Sequence, residues 1–328
     1  MKGRLFWTLA IIALLAAVAA SLLAGHIWLS PGQVIEGLTS PGDQMSNLIL
    51  FELRLPRAVL AVLVGGALGL SGAVLQGLLR NPLAEPGLLG VSGGASLGAV
   101  VAIYFGVSTS FALATPLMGM AFAMAAGALT FLVGRGAGAV TLILAGAAVS
   151  ALVGSGVALA LNFAPSPYAA YEITTWLLGS LSNRSWDHVL LAGPFVLAGG
   201  VLLALTGRSL DALALGEAQA RSLGVDLSRT RLFALLGTGL AVGAATSVTG
   251  AMGFIGLVAP HLVRPFIGHQ PSRTLAPAAL VGAALLLVTD IATRLIPSGI
   301  ELRLGVLTSL IGLPFFFWLV IRMKRTTP

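Results

Sequence analysis

Long stretches without a charged side chain, divided by short polar or glycine- and proline-marked connections, set the pattern of this chain. Residues 5–35, 58–79, 86–134, 136–171, 188–207, 232–263, 274–289 and 304–321 contain no Asp, Glu, Lys or Arg. A helix needs about 20 apolar residues to cross about 30 Å of hydrocarbon. The 86–134 window is long enough for two helices, with a turn near Gly106–Ser110. Window 136–171 gives one long helix and an exit marked by Pro165 and Pro167. Window 232–263 gives a helix to about Thr249 and then a glycine-broken segment from Gly250 to His261. Lipid cannot satisfy the backbone groups freed by such a break, so this segment is expected inside protein. Ten spans follow, at roughly 5–25, 58–79, 90–106, 112–134, 140–162, 189–207, 230–249, 253–266, 274–295 and 304–322. The expected fold is an all-α polytopic membrane protein forming a single domain over 1–328.

Composition narrows the class further. The chain is 57% hydrophobic and 9% charged, against about 25% charged in soluble domains. Outer-membrane barrels alternate polar and apolar residues over about ten-residue strands, which these unbroken runs do not. Lys2 and Arg4, followed by an apolar run ending near Ala17-Val18-Ala19, resemble a signal peptide. The run is longer than a signal core, so an uncut first helix is expected. With no cysteine there is no disulfide, thiol nucleophile or cysteine metal site. His26, His188, His261 and His269 are too scattered to suggest a metal centre.

Charge gives the orientation. With the N-terminus in the cytoplasm, the inner side collects thirteen of the 18 Lys and Arg residues. The outer side keeps Arg54, Arg57, Arg184, Arg294 and Arg303, so both ends are expected inside. Spread over many loops, these residues explain the net charge of +7 without a nucleic-acid partner. Trp28, Trp176, Trp186, Tyr104, Tyr168 and Tyr171 fall near the outer interface, and Trp7 and Trp318 near the inner one, as aromatic belts do.

Small residues recur every four positions: Gly65, Gly69, Ala73 and Gly77; Gly146, Ser150 and Gly154; Gly239, Gly243 and Ser247. Such stripes let membrane helices approach closely. The Gly134-x-Gly136-x-Gly138 stretch follows a membrane helix, which makes it a loop and not a dinucleotide fingerprint. Asp290 lies well inside a span, with Arg294 one turn later, and the two are expected to pair.

Chemistry concentrates in three segments. Arg54 and Arg57, just outside the second span, share one helix face and offer guanidinium forks to carboxylates. The inner loop 208–229 is polar, rich in helix formers and stopped at Gly224. It predicts a short amphipathic docking helix for a soluble subunit over about 212–224. The stretch Arg80-Asn-Pro-Leu-Ala-Glu-Pro-Gly-Leu-Leu-Gly90 predicts a defined turn at membrane depth. No nucleotide-binding lysine loop or metalloprotease motif is present. Two rivals remain: a proton-coupled secondary transporter, which would need acids at the midplane, and an intramembrane protease using Ser155 with His261.

These segments carry a resemblance. Leu53-Arg-Leu-Pro-Arg57, Ser71-Gly-Ala-Val-Leu-Gln76, Asn81-Pro-Leu-Ala-Glu-Pro-Gly-Leu-Leu-Gly-Val-Ser92, Leu215-Gly-Glu-Ala-Gln-Ala-Arg-Ser-Leu-Gly224 and Gly253-Phe-Ile-Gly-Leu-Val-Ala-Pro-His-Leu-Val-Arg264 resemble the signatures of FecCD-type permeases. These are the membrane subunits of type II ABC importers for iron-siderophores, haem and cobalamin. The resemblance implies a homodimer with a path on its two-fold axis, two cytoplasmic ATPases and one periplasmic binding protein. ATP and Mg would be bound by the ATPase, with no cofactor and no enzymatic activity in this chain. It implies that Arg54, Arg57 and Arg294 meet acidic residues of the binding protein. Leu215, Gly216, Glu217, Ala220, Arg221 and Gly224 would form the coupling helix, and Asn81 and Leu83, with the loop around Ala139–Thr141, the cytoplasmic gate. That loop carries apolar Ala139 and Val140 here, and Glu301-Leu-Arg303 stands where Glu-Leu-Pro is common. The expected cargo is a metal chelate, an iron-siderophore or haem first and cobalamin as the alternative.

Overall fold

The computed structural model describes residues 2–25, 27–39, 45–111, 113–134, 138–296 and 302–326. Among them, eight helices are long and apolar enough to cross a membrane, and two shorter apolar helices complete the set. They are α1 (Lys2–Leu23), α2 (Leu55–Leu78), α3 (Val91–Tyr104), α4 (Ala114–Gly134), α5 (Ala139–Asn162), α6 (Trp186–Leu205), α7 (Leu227–Thr249), α8 (Ile255–Ile267), α9 (Pro271–Leu295) and α10 (Leu304–Thr326). Each corresponds to one expected span. Glu301, Arg135, Gly136 and His26 lie outside the described residues.

Several boundaries differ from the expectation. A π-helical turn, Ile49–Arg54, runs directly into α2, so the second span is continuous over Ile49–Leu78. Arg54 and Arg57 therefore sit inside this helix and not beyond its end. The exit after α5 forms a helix of its own, Pro167–Leu177, whose N-terminus is capped by the Ser166 side chain accepting from the Ala169 N–H. The predicted gate loop around Ala139–Thr141 is the first turn of α5. The predicted coupling helix is two short helices, Gly207–Leu213 and Glu217–Ser222. Gly216 divides them with φ 113°, a conformation that a side chain would strain.

The packing follows the small residues. α2 lies most extensively against α9, and α2 and α7 are the most buried helices. A Cβ on Gly69 would stand 2.1 Å from the Ala278 carbonyl oxygen, and one on Gly65 2.4 Å from that of Gly282. No backbone can yield that much, so only glycine permits this separation. Gly72 meets the Gly256 backbone of α8 in the same way. Gly239 and Gly243 face Met124 and Ala123 of α4. The α5 stripe divides its work. Gly146 abuts the Leu88 carbonyl and Ser150 donates to the Gly87 carbonyl, whereas Gly154 faces open space.

The break between α7 and α8 is enclosed as lipid requires. Gly250 and Phe254 both have positive φ, which turns the chain out of one helix and into the next. The Thr249 carbonyl, freed by the break, accepts from the Ser180 N–H at 2.7 Å. The Phe254 N–H donates to Glu85 Oε2 at 3.3 Å, so a carboxylate from another segment caps α8, where negative charge is favoured.

Candidate functional site

Three polar regions stand out, and the outer one is the most concentrated. A cavity of about 500 Å³ opens where α1, α2, α9 and the 178–185 loop meet, and Arg54, Arg57, Arg184 and Arg294 all line it. The π-helical turn tilts Arg54 inward. Its Nη1 donates to the carbonyl of Leu22, in the last turn of α1, and its Nη2 to that of Ile27, just past the end of the helix. Only 6% of Arg54 remains exposed. The expected pair Asp290–Arg294 forms, and Arg57 joins it. Asp290, fully buried, accepts from Arg57 Nη2 at 2.8 Å and from Arg57 Nε at 3.0 Å, and it also pairs with Arg294. Arg294 additionally donates to the Ser21 carbonyl at 2.9 Å and to Ser21 Oγ. A buried carboxylate is tolerated when two guanidiniums neutralise it and complete its hydrogen bonds. The three arginines read from the sequence thus come together, as fixed ties among α1, α2 and α9. Arg184 is the member that motif reading missed. Its only sequence signal was its place among the outer charges.

The middle region joins the 80–90 loop to α8. Asn81 accepts from the Leu83 N–H at 2.9 Å through its side-chain oxygen, an Asx turn that shapes the loop. Leu83 is half-buried. The Pro82 carbonyl lies 2.8 Å from His261 Nε2. Gln76 accepts from Arg264 Nη2 at 2.6 Å. The protease constellation does not assemble. Ser155 donates to the Ala151 carbonyl of its own helix, while His261 is engaged at Pro82.

The inner region is the connector between α6 and α7. Leu215 and Leu223 are exposed by 64% and 65%, and Arg221 and Gly224 are exposed too. Ala220 is buried and Gly216 lies at the break, so these two shape the connector and do not face outward. Glu217 bonds to Arg231 at 2.8 Å and lies 3.8 Å from Arg221. The connector is thereby tied to α7. Leu223, absent from the expected contact set, is as exposed as Leu215. The Asp211 side chain accepts from the Ser272 N–H, the Ser272 hydroxyl and Gln270, fastening the first connector helix to the start of α9. Burial works against the charge of Asp211, but these hydrogen bonds outweigh it and hold the carboxyl below its usual range. Among the described residues no group of three His, Asp or Glu is placed to hold a metal ion.

Comparison with known proteins places this arrangement. The FecCD transport family matches residues 13–322. The chain is 41% identical over 88% of its length to an uncharacterized ABC transporter permease of Bacillus subtilis, YvrB, covering 83% of that protein. It is 40% identical over 88% of its length to the hemin transport permease HmuU of Yersinia pestis, covering 87% of that protein. It is 38% identical over 94% of its length to the vitamin B12 import permease BtuC of Vibrio vulnificus, covering 93% of that protein. A solved metal-chelate type ABC transporter in an inward-facing conformation superposes with a TM-score of 0.85. The identity there is 30%, over 97% of this chain and 99% of that one. The chain belongs to the FecCD transport family, with the type II ABC importer permease fold. It is a multi-pass inner-membrane permease subunit of an ABC importer, and permeases of this family work with ABC ATPases and substrate-binding proteins.

Proposed function

We propose that this permease forms a homodimer with two ATPases below and one soluble binding protein above, and that its cargo is a metal-tetrapyrrole, a cobalamin-type corrinoid before haem. The cargo differs from the first expectation, which put iron-siderophores ahead of cobalamin. Support comes from relatives of similar length that are named for vitamin B12 import, from three further species among others, and for hemin transport.

The observation that carries the mechanism is the placement of two unlike polar regions at the two ends of one helix pair. α9 begins beside the connector at Asp211–Ser272 and ends at Asp290–Arg294. Its backbone is locked to α2 through Gly65, Gly69 and Gly282. On this reading the binding protein presents carboxylates to Arg54, Arg57 and Arg294. The ATPases grip Leu215, Arg221 and Gly224, with Glu217 bound to Arg231 passing connector motion into α7. Asn81 and Leu83 close the inner end of the path. The loop they occupy hangs on α8 through Glu85 and Pro82, so a shift of α8 would carry it. The exposed Leu152 and Leu159 share one flank of α5, and on this reading that flank is the side offered to the second copy.

The decisive experiment is ATP-driven uptake into proteoliposomes holding the permease, its ATPase and its binding protein. The cargoes compared are cyanocobalamin, hemin and a ferric siderophore. Uptake of a tetrapyrrole is expected; uptake of the ferric siderophore alone would reverse the cargo assignment. Transport by the permease alone under a pH gradient would overturn the mechanism. A Leu83→Trp variant should assemble normally and transport poorly, and wild-type uptake by that variant would remove Leu83 from the gate.

A further inference from the structure

Four guanidiniums converge on the outer cavity, and they differ in what already holds them. Arg57 and Arg294 share the Asp290 carboxylate. Arg54 uses both terminal nitrogens on the carbonyls of Leu22 and Ile27. Arg184 arrives from a different element, the loop before α6, where Asn183 adopts φ 57° and sets the direction of the next residue. Among the described residues Arg184 forms no ion pair. Its Nη1 lies 3.5 Å from His188 Nε2, a contact at the limit of hydrogen bonding. Its Nε, like that of Arg294, is buried without an acceptor, but Arg184 has no carboxylate partner among the described residues as Arg294 does. Burial, and then the nearby charge of Arg303, push its pKa down. The surroundings therefore disfavour its charge, and no carboxylate among the described residues pairs with it.

Among the described residues, one carboxylate faces four guanidiniums, so the charge they bring to the cavity is predominantly positive. An incoming anion gains most where charge is not yet neutralised, and a half-satisfied guanidinium gains a hydrogen bond as well. Arg57 and Arg294 have already spent much of that attraction on Asp290. Arg54 is committed to closing α1 against α2. We infer that Arg184 is a recognition residue for an acidic side chain of the docked binding protein, and that it contributes more to docking than Arg54 does. The inference rests on the proposal that the outer face receives a binding protein, and it changes which residue dominates there.

The test measures affinity in nanodiscs, by biolayer interferometry, for a soluble binding protein of the vitamin B12 or hemin class that docks on the wild-type permease. Arg184→Ala should weaken docking about tenfold and Arg184→Glu about a hundredfold, while Arg184→Lys stays within about threefold. The loss should shrink as salt rises, because part of it is long-range attraction. The melting temperature of Arg184→Ala should match wild type, whereas Arg54→Ala should melt earlier. Arg57→Gln, which leaves Arg294 to neutralise Asp290, separates the two levels of the argument. If Arg57→Gln weakens docking and the Arg184 variants do not, the role of Arg184 is overturned and the docking surface stands. If neither substitution matters, the docking surface itself is overturned. A lowered melting temperature in Arg184→Ala matching its loss of docking would also overturn the inference, since Arg184 would then act only on the fold.

Discussion

The outer and inner ends of this permease use the same residue types, Arg with Asp or Glu, in opposite ways. At the outer end Asp290 is fully buried between Arg57 and Arg294, and Arg54 is sealed against two carbonyls. At the inner end the Glu217 side chain is one-third exposed, and Arg221 is two-thirds exposed at the far side of a 3.8 Å contact. Buried charge must be neutralised where it lies, so the outer cluster is part of the frame of the molecule. Exposed charge is solvated and screened, so the Glu217–Arg221 contact adds little, and the inner connector is held instead at two points, by Glu217–Arg231 to α7 and by Asp211 to α9. Under the proposed function the outer cluster is the loading face, which must keep its shape, and the inner connector is the drive element, which must be able to shift.

The largest test of the contrast is Asp290→Asn. Two buried guanidiniums would lose their counter-charge, and the fold should lose about 3–5 kcal/mol, read as a large drop in melting temperature in detergent. A variant as stable as wild type would mean that the outer cluster is not part of the frame. The link between the ends is addressed by Gly69→Val. A side chain there meets the Ala278 carbonyl, and about 1–3 kcal/mol should be lost, with α2 and α9 forced apart. Unchanged stability together with unchanged transport would argue that the two helices need not act as a pair.

Smaller effects belong to the inner end. Asp211→Asn removes an acceptor at the start of α9 and should cost about 1 kcal/mol. Because folding lowers the Asp211 pKa, its contribution is present above the ordinary carboxylate range and lost as pH falls through the lowered folded value. The stability gap between wild type and Asp211→Asn should therefore be constant near neutrality and close in acid, and a gap independent of pH would contradict this account. The smallest change in stability is expected for Glu217→Ala with Arg221→Ala, about 0.5 kcal/mol. Its effect should appear in function, as ATPase activity uncoupled from uptake or as a lost ATPase. Normal co-purification with normal transport would remove both residues from the coupling role.

Much of this was legible in the chain before folding. Charge-free windows marked every membrane helix, and all but the start of the second span to within a few residues, because the cost of burying charge in hydrocarbon leaves few alternatives. The glycine spacing announced close packing on α2 and α7, and the Asp290–Arg294 pair follows from one helical turn. Less legible were features that depend on what lies across a gap. Nothing in Leu53-Arg-Leu-Pro-Arg57 indicates that Arg54 turns inward, since the carbonyls it meets lie some thirty residues earlier. Arg184 belongs to no motif and reaches the cavity only because its loop folds back at Asn183. Glu85 caps a helix 169 residues away, and Gly216 cuts what composition reads as one helix.

What the sequence determined by itself is the class of solvent, the number and order of the helices, the membership of the family and which side carries the basic loops. All of these rest on local hydropathy, charge counts and motif spacing, which need no knowledge of neighbours. Only the tertiary structure decided which charges are spent holding helices together and which, among the described residues, are left without a counter-charge. That division depends on burial and on the acceptors that distant segments bring within hydrogen-bond reach. A guanidinium carries the same charge wherever it occurs in the chain, and its surroundings decide whether that charge is already neutralised.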